Sequence, residues 1–492
     1  MRTPILEEIP PGRMFIGGEW VGSVSGRSLP TYSPATGEIL GRVPLGEAAD
    51  VDRAVLAAAE AFPAWAALPG AERGMRLRSL AGALREHREE LARLDAINSG
   101  NVISGMRRDV DWAADSLDYF AGLIPEVKGE TLPTDPTSFS YTVREPFGVV
   151  GKINPFNHPV RFAAEKLAAP LAAGNTVVMK PPEQAPLSSL TLGRLLADIL
   201  PPGVVNIVTG DGPTTGAALV QHPRVRRIAL IGSVEAGRAV MQAASAELKT
   251  VTLELGGKNP IIVFPDIAPA EAADAALAAM NFNRAGQSCS STSRVFVHRT
   301  LHDAFVDALR DRLTKLRMGP PELDESEIGP LISRDQHERV LSYIEAGRRE
   351  GARLVCGGGI PGDAALRRGF FVQPTLFDGV RPEMRIAKEE IFGPVVSVLT
   401  WDDEDEMVRQ VNGVIYGLSA AIYTRDYARA HRLARRIEAG YIWVNLPGGH
   451  ALGAPYGGIK QSGIGREECL DELLSYTQVK SIRMRLPEGG PS

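Results

Sequence analysis

Between Gly148 and Val263, short apolar runs alternate with helical stretches, and this rhythm restricts the fold more than any other feature of the chain. Val149-Val150-Gly151-Lys152-Ile153 precedes a helix around Arg161 to Ala173. Thr176-Val177-Val178-Met179-Lys180 precedes one around Leu187 to Leu200. Val204 to Val208 precedes Pro213 to Gln221, and Arg227 to Gly232 precedes Glu235 to Ala246. Repeated strand-helix units of this kind specify an α/β fold, a parallel sheet with helices on both faces. Such open sheets bind ligands at the carboxyl ends of their strands.

A second α/β stretch runs from about Ile261 to Val444, with strands expected at Ser293 to His298, Gly369 to Thr375, Val395 to Thr400 and Tyr441 to Val444. Ahead of the parallel region, Met14 to Val21 reads as a short hairpin with a Gly-Gly or Gly-Glu turn, at Gly17-Gly18 or Gly18-Glu19. Three helices are expected after it, over Ala48 to Ala67, Arg73 to Asn98 (Leu77, Leu80, Leu84, Leu91 and Leu94 at helical spacing) and Asp109 to Leu123. Pro125 to Pro146 loses the helical period and is rich in Thr, Ser, Tyr and Val, so a projecting hairpin is expected. Its exposed edge is a natural strand donor to a second subunit. The tail, Tyr476 to Met484, alternates like a strand and can pair with that hairpin. The end, Pro487 to Ser492, is expected to fray.

At 492 residues, with ~150 residues per domain as a guide, about three folding units are expected. The net charge of −5 is small and its signs are interspersed, so nothing calls for nucleic acid or an anionic membrane. No run approaches the ~20 apolar residues of a membrane helix, and Met1 to Arg13 lacks the apolar core of a secretory signal. Three scattered cysteines, Cys289, Cys356 and Cys469, make no disulfide framework and suit a cytoplasmic, reducing compartment. No metal-ligand spacing is present.

Two segments carry the chemistry. A lone cysteine is usually a small buried hydrophobe. Cys289, however, sits in Gly286-Gln287-Ser288-Cys289-Ser290, a glycine-led, hydroxyl-rich loop that makes a poor core. Only the thiolate attacks a carbonyl, and an ordinary thiol, pKa ~8.5, is mostly protonated at neutral pH, so local activation is required. Glu254 lies in Val251-Thr252-Leu253-Glu254-Leu255, a strand pattern ended by Gly256-Gly257, which permit close approach of backbone or ligand. A strand glutamate usually faces solvent; here it is a candidate base for activating water. A nucleophile and a base suffice to form a thioester and hydrolyse it. Asn157, in the turn Asn154-Pro155-Phe156-Asn157-His158-Pro159 after a parallel strand, can offer an amide to a developing oxyanion. Gly232-Ser233 follows a strand and opens a helix, a position that favours phosphate, although the full dinucleotide fingerprint is absent. Lys180 and Glu183 lie past another strand end and can hold ribose hydroxyls. A carboxylate there repels a 2′-phosphate and favours NAD over NADP.

Together these segments closely resemble the NAD(P)-dependent aldehyde dehydrogenase superfamily, from about Phe15 to Lys480. Glu389-Glu390-Ile391-Phe392-Gly393-Pro394-Val395 and Pro455-Tyr456-Gly457-Gly458-Ile459-Lys460-Gln461-Ser462-Gly463 are further signatures. The resemblance implies a Rossmann-like NAD-binding domain (1–124 and 145–256), an α/β catalytic domain (257–456) and a small bridging sheet (125–144 and 474–486) that builds homodimers or homotetramers. It implies Cys289 as nucleophile, Glu254 as general base, Asn157 with the Cys289 backbone amide as oxyanion hole, and Lys166 in a proton relay. Lys180, Glu183, Gly232, Ser233, Glu390 and Phe392 are expected to hold NAD. Relatives that acylate coenzyme A typically lack the glutamate, so hydrolysis is favoured over acyl transfer. Retention of Cys289, Glu254 and Asn157 argues against a retired, purely structural member. Two departures stand out. Phe156 replaces the usual tryptophan, and the substrate tunnel, aromatic in relatives that oxidise simple aliphatic aldehydes, is expected to carry His158, Glu165, Asn283 and His450. Burying such groups unpaired costs roughly 1–3 kcal/mol each, so an aldehyde bearing polar groups is the expected substrate.

Overall fold

A computed structural model describes residues 12–487 of the chain. The expected fraying end and the reading of the first residues as lacking a signal core therefore lie outside the described residues, apart from Gly12, Arg13 and Pro487. Met14–Ile16 and Glu19–Val21 form the expected hairpin, with Met14 opposite Val21. Gly17 and Gly18 turn it at φ +65° and +85°, the left-handed geometry that two-residue hairpin loops require.

The hairpin edges an eight-stranded sheet whose centre is parallel. The order is Glu19–Val21, Met14–Ile16, Val205–Ile207, Thr176–Lys180, Val149–Ile153, Val225–Ile231, Thr250–Glu254 and Gly463–Ile464. The strand order reverses on either side of Val149–Ile153, so its carboxyl end lies at the topological switch point where such sheets open a crevice. Every residue of Val149–Ile153 and of Thr176–Lys180 is buried, as expected of strands covered on both faces.

The first helix spans Ala48–Ala67 as expected, and the third is longer, Ile103–Leu123. The helix expected over Arg73 to Asn98 is two helices, Gly70–Glu86 and Arg88–Ser99, broken at His87 (φ −95°, ψ 18°). The break changes direction without interrupting burial. Leu77, Leu80 and Leu84 on one segment and Leu91 and Leu94 on the other are all fully buried, and both segments pack on Ile103–Leu123.

A second sheet of seven strands runs Arg353–Cys356, Thr375–Asp378, Val395–Trp401, Arg294–His298, Pro260–Val263, Ser419–Tyr423, Tyr441–Val444. All its neighbours are parallel except the first pair. The strand expected over Gly369 to Thr375 begins instead at Thr375. The preceding backbone is spent on loops: Phe370 donates to the Pro34 carbonyl (3.0 Å) and accepts from Leu331 (3.0 Å), and Pro374 has no N–H. A third sheet joins Thr131–Leu132, Ser138–Pro146 and the tail strand Thr477–Arg485, which pairs along the whole length of the hairpin from Thr477↔Pro146 to Arg485↔Ser138. Among the described residues, no single helix is long and apolar enough to cross a membrane.

Candidate active site

Glu254 ends the strand Thr250–Glu254, and the chain then crosses to the second sheet through Gly256-Gly257. These glycines are needed for close packing. A Cβ on Gly257 would sit 2.6 Å from the Cys289 carbonyl oxygen, and one on Gly256 would collide with the Glu390 carboxylate. Asn259, two residues on, donates to the carbonyls of Cys289 (2.7 Å) and Ser291 (3.1 Å) and so fixes the thiol loop. The turn into that loop places Asn281, Ala285 and Gly286 at positive φ.

Glu254 and Cys289 consequently line one cavity of about 280 Å³. They stand close enough to shift each other's titration, and the Tyr456 hydroxyl lies 4.0 Å from the Cys289 sulfur. Burial and then the Glu467 charge push Glu254 up to about 8. Burial, and then Glu254, push the Cys289 thiol well above its ordinary range. Both groups therefore hold their protons at neutral pH, and the local activation that the sequence calls for is not supplied by an adjacent cation. A positive charge brought into the cavity would act in the opposite sense, favouring the thiolate.

Asn157 lies between the strand Val149–Ile153 and the helix Pro159–Ala172. It is buried, and its backbone carbonyl accepts from the Asn101 amide at 3.0 Å. Its side-chain oxygen has no protein partner among the described residues, so its amide is not committed elsewhere. Lys166, on that helix, lines the cavity and pairs with Glu165 (2.7 Å) and Glu467 (3.0 Å). Against burial, these acids raise it well above the usual lysine range, so it stays charged.

The far wall is more polar than expected and is built differently. His158 and His450 line it, as anticipated. Burial, and then the nearby Arg284, lower His158 to about 4, so it is neutral; its Nδ1 lies 2.9 Å from Asp109. His450 Nδ1 lies 2.9 Å from Glu468. Glu165 stands behind the wall, paired with Arg161 (2.6 Å) and Lys166. Asn283 also stands back. In the amide orientation that its neighbours dictate, its oxygen accepts from Arg108 (2.8 Å) and Arg284 (3.0 Å). These two expected tunnel residues thus hold lining residues rather than line the cavity themselves. The charged lining groups that sequence reasoning missed are Arg108, Arg161, Arg284, Asp109, Glu467 and Glu468. They come from distant segments with no shared motif, so no local signal marks them.

At the carboxyl ends of Val149–Ile153 and Val225–Ile231, the switch-point crevice opens into a mostly apolar cleft of about 780 Å³. Ile153 and Leu230 form its floor, and the helices Ala217–Gln221 and Val234–Ala244 its sides. Ser233 caps the second helix, accepting from Ala236 at 3.1 Å, and Gly232 donates to the Glu254 carbonyl at 3.0 Å. Lys180 reaches Glu183 at 2.7 Å past the end of its strand. Glu390 accepts from the Gly257 N–H at 2.9 Å and is pushed up to about 7 by burial. Phe392, at φ +57°, meets Phe156 edge-on with centroids 5.8 Å apart. A cleft for a flat apolar group, a helix N-terminus and a carboxylate–lysine pair at successive strand ends fit a dinucleotide.

The Aldehyde dehydrogenase family profile matches residues 20–482. Aldehyde dehydrogenase tropH of Talaromyces stipitatus is 48% identical over 491 residues, covering 98% of this chain and 95% of its own. An aldehyde dehydrogenase from Bacillus cereus, solved as its NAD+ complex, is 40% identical, covers 99% of both chains and gives a TM-score of 0.95. PnpE from Pseudomonas sp. WBC-3 is 39% identical over 98% of this chain and 99% of its own, again with a TM-score of 0.95. The chain belongs to the aldehyde dehydrogenase family.

Proposed function

We propose that this chain oxidises an aldehyde bearing polar groups to the carboxylic acid, with NAD as hydride acceptor and water as the final nucleophile. The observation that carries the reading is the single cavity that Cys289 and Glu254 both line. Bound NAD would supply the acceptor for the aldehyde hydride. The chain's own groups do the rest. The Cys289 thiolate, formed by loss of the thiol proton to solvent, adds to the aldehyde carbon. The Asn157 amide and the Cys289 backbone N–H receive the oxyanion, which collapses to a thioester as the hydride departs. Glu254, in its ionised form, then takes a proton from water. The hydroxide adds to the thioester and the Cys289 thiolate leaves, giving the free acid. Lys166 and Glu467, joined at 3.0 Å, offer a route by which the Glu254 proton leaves the cavity.

For the cofactor, Ser233, Lys180, Glu183, Glu390 and Phe392 are the holding residues, and the Glu183 carboxylate supports NAD over NADP. The chain is proposed to act as a homodimer or homotetramer through the sheet of Ser138–Pro146 and Thr477–Arg485, which leaves Phe139, Val479 and Met484 exposed. Its three free cysteines suit a reducing cytoplasm. The test is a panel of aldehydes with NAD, followed by NADH absorbance and product analysis, with and without coenzyme A. NADH with free acid supports the reading. Acyl-CoA as the product, or no NADH from any aldehyde, overturns it.

A further inference from the structure

The charges of the cavity do not cancel evenly. Arg161 is held by Glu165 at 2.6 Å and Glu468 at 2.8 Å, Lys166 by Glu165 and Glu467, and Arg284 by Asp109 at 2.5 Å. Among the described residues, Arg108 alone of the four lining cations has no carboxylate within ion-pair distance, and its one hydrogen bond goes to the neutral Asn283 amide. Arg108 is exposed, so it stands where the cavity opens to solvent. Next to it, Arg284 is 6% exposed and its Nε has no partner, and the buried indole N–H of Trp112, one helical turn from Arg108, has none either. Arg108 and Arg284 are close enough that the charge of the first lowers the pKa of the second.

The aromatic part of the same wall is already occupied. The ring of His450 fills the aromatic cluster that could face a quaternary ammonium, stacked 3.9 Å from Tyr456 and within 6.4 Å of Trp112, Tyr441 and Trp443. At about 280 Å³ the cavity is just under the ~300–1,000 Å³ of drug-sized sites, so a small molecule fills it.

Resting on the function proposed above, we infer that the substrate is a small aldehyde whose far end carries a carboxylate, and that Arg108, with Arg284 behind it, is the residue that selects it. A planar guanidinium with unspent charge takes a carboxylate through two parallel N–H···O bonds, which a hydroxyl or ester cannot match. The product is then a dicarboxylate.

The test compares 5-oxopentanoate with its methyl ester and with pentanal, reading kcat/KM by NADH formation in the wild-type enzyme and in Arg108→Gln and Arg108→Lys. The wild type is expected to favour the carboxylate over the ester by about 10- to 100-fold, the range of one charge-assisted contact. In Arg108→Gln that ratio falls toward one, mainly through KM, and Arg108→Lys keeps part of it. Equal kcat/KM for acid and ester in the wild type overturns the inference, as does a ratio that Arg108→Gln leaves unchanged. If pentanal and ester are oxidised but the carboxylate gains nothing, the proposed reaction stands and only this inference falls. If no aldehyde is oxidised, both fall.

Discussion

Replacing Glu254 with glutamine should make the enzyme slower and more stable at once. Glutamine is close in shape to the protonated carboxyl group but cannot act as a base. General bases contribute roughly 10²–10⁴ in rate, so steady turnover should drop by that order while NADH release stops after about one equivalent per subunit. The stability gain follows from burial. The folded-state pKa of Glu254 is raised to about 8, against ~4.3 in an unfolded chain. A raised carboxyl binds more protons in the folded state, so stability is lost as pH climbs from the unfolded value to the folded one. The wild-type penalty is about 1 kcal/mol at pH 5, about 3–4 kcal/mol at pH 7 and about 5 kcal/mol at pH 9. Glutamine escapes it. At ~2.1 cal/mol/K per residue, 492 residues give about 1 kcal/mol per degree. The variant should therefore melt about 1 °C higher at pH 5, about 3–4 °C higher at pH 7 and about 5 °C higher at pH 9, by calorimetry at one scan rate. A melting difference that is negative, or that does not grow with pH, would refute the claim that burial holds this acid neutral.

Three further outcomes follow from the geometry. Where thioester hydrolysis limits turnover, kcat of the wild type should rise up to about tenfold between pH 7 and pH 9, because Glu254 passes from about one-tenth to about nine-tenths ionised; a flat profile in steady-state assays contradicts this. Asn157→Ala should lower kcat by about 10²–10³ with little change in the NAD dependence of the rate, measured over a range of both substrates. Gly256→Ala should displace Glu390, whose carboxylate occupies the space of the new methyl group, and weaken NAD binding in a fluorescence titration; unchanged affinity would separate Glu390 from the cofactor.

Local pattern carried the elements whose burial is periodic or continuous. The strands Val149–Ile153, Thr176–Lys180 and Tyr441–Val444 lie where their apolar runs place them. Cys289 and Glu254 stood out because their glycine-rich surroundings suit neither a core nor a plain turn, and the structure brings the two into one cavity. The break at His87 was hidden because the leucine period continues through it, without a glycine or proline to mark it. The strand at Thr375–Asp378 was misplaced because Phe371 and Val372 are buried like strand residues while the backbone of the adjoining Phe370 bonds to loops. The polar wall was half visible. Helical spacing could not tell that Glu165 turns away to hold Arg161, because that choice depends on partners such as Glu468, far along the chain.

The central claim is that Cys289 carries the acyl group and Glu254 directs water to it. Rapid-quench intact-mass measurement of Glu254→Gln, mixed with NAD and an aldehyde it oxidises, tests this most directly. A mass increase equal to the acyl group, mapped to the peptide containing Cys289 and equal in amount to the NADH released, is the predicted result. NADH release from that variant with no adduct on Cys289 would contradict the account.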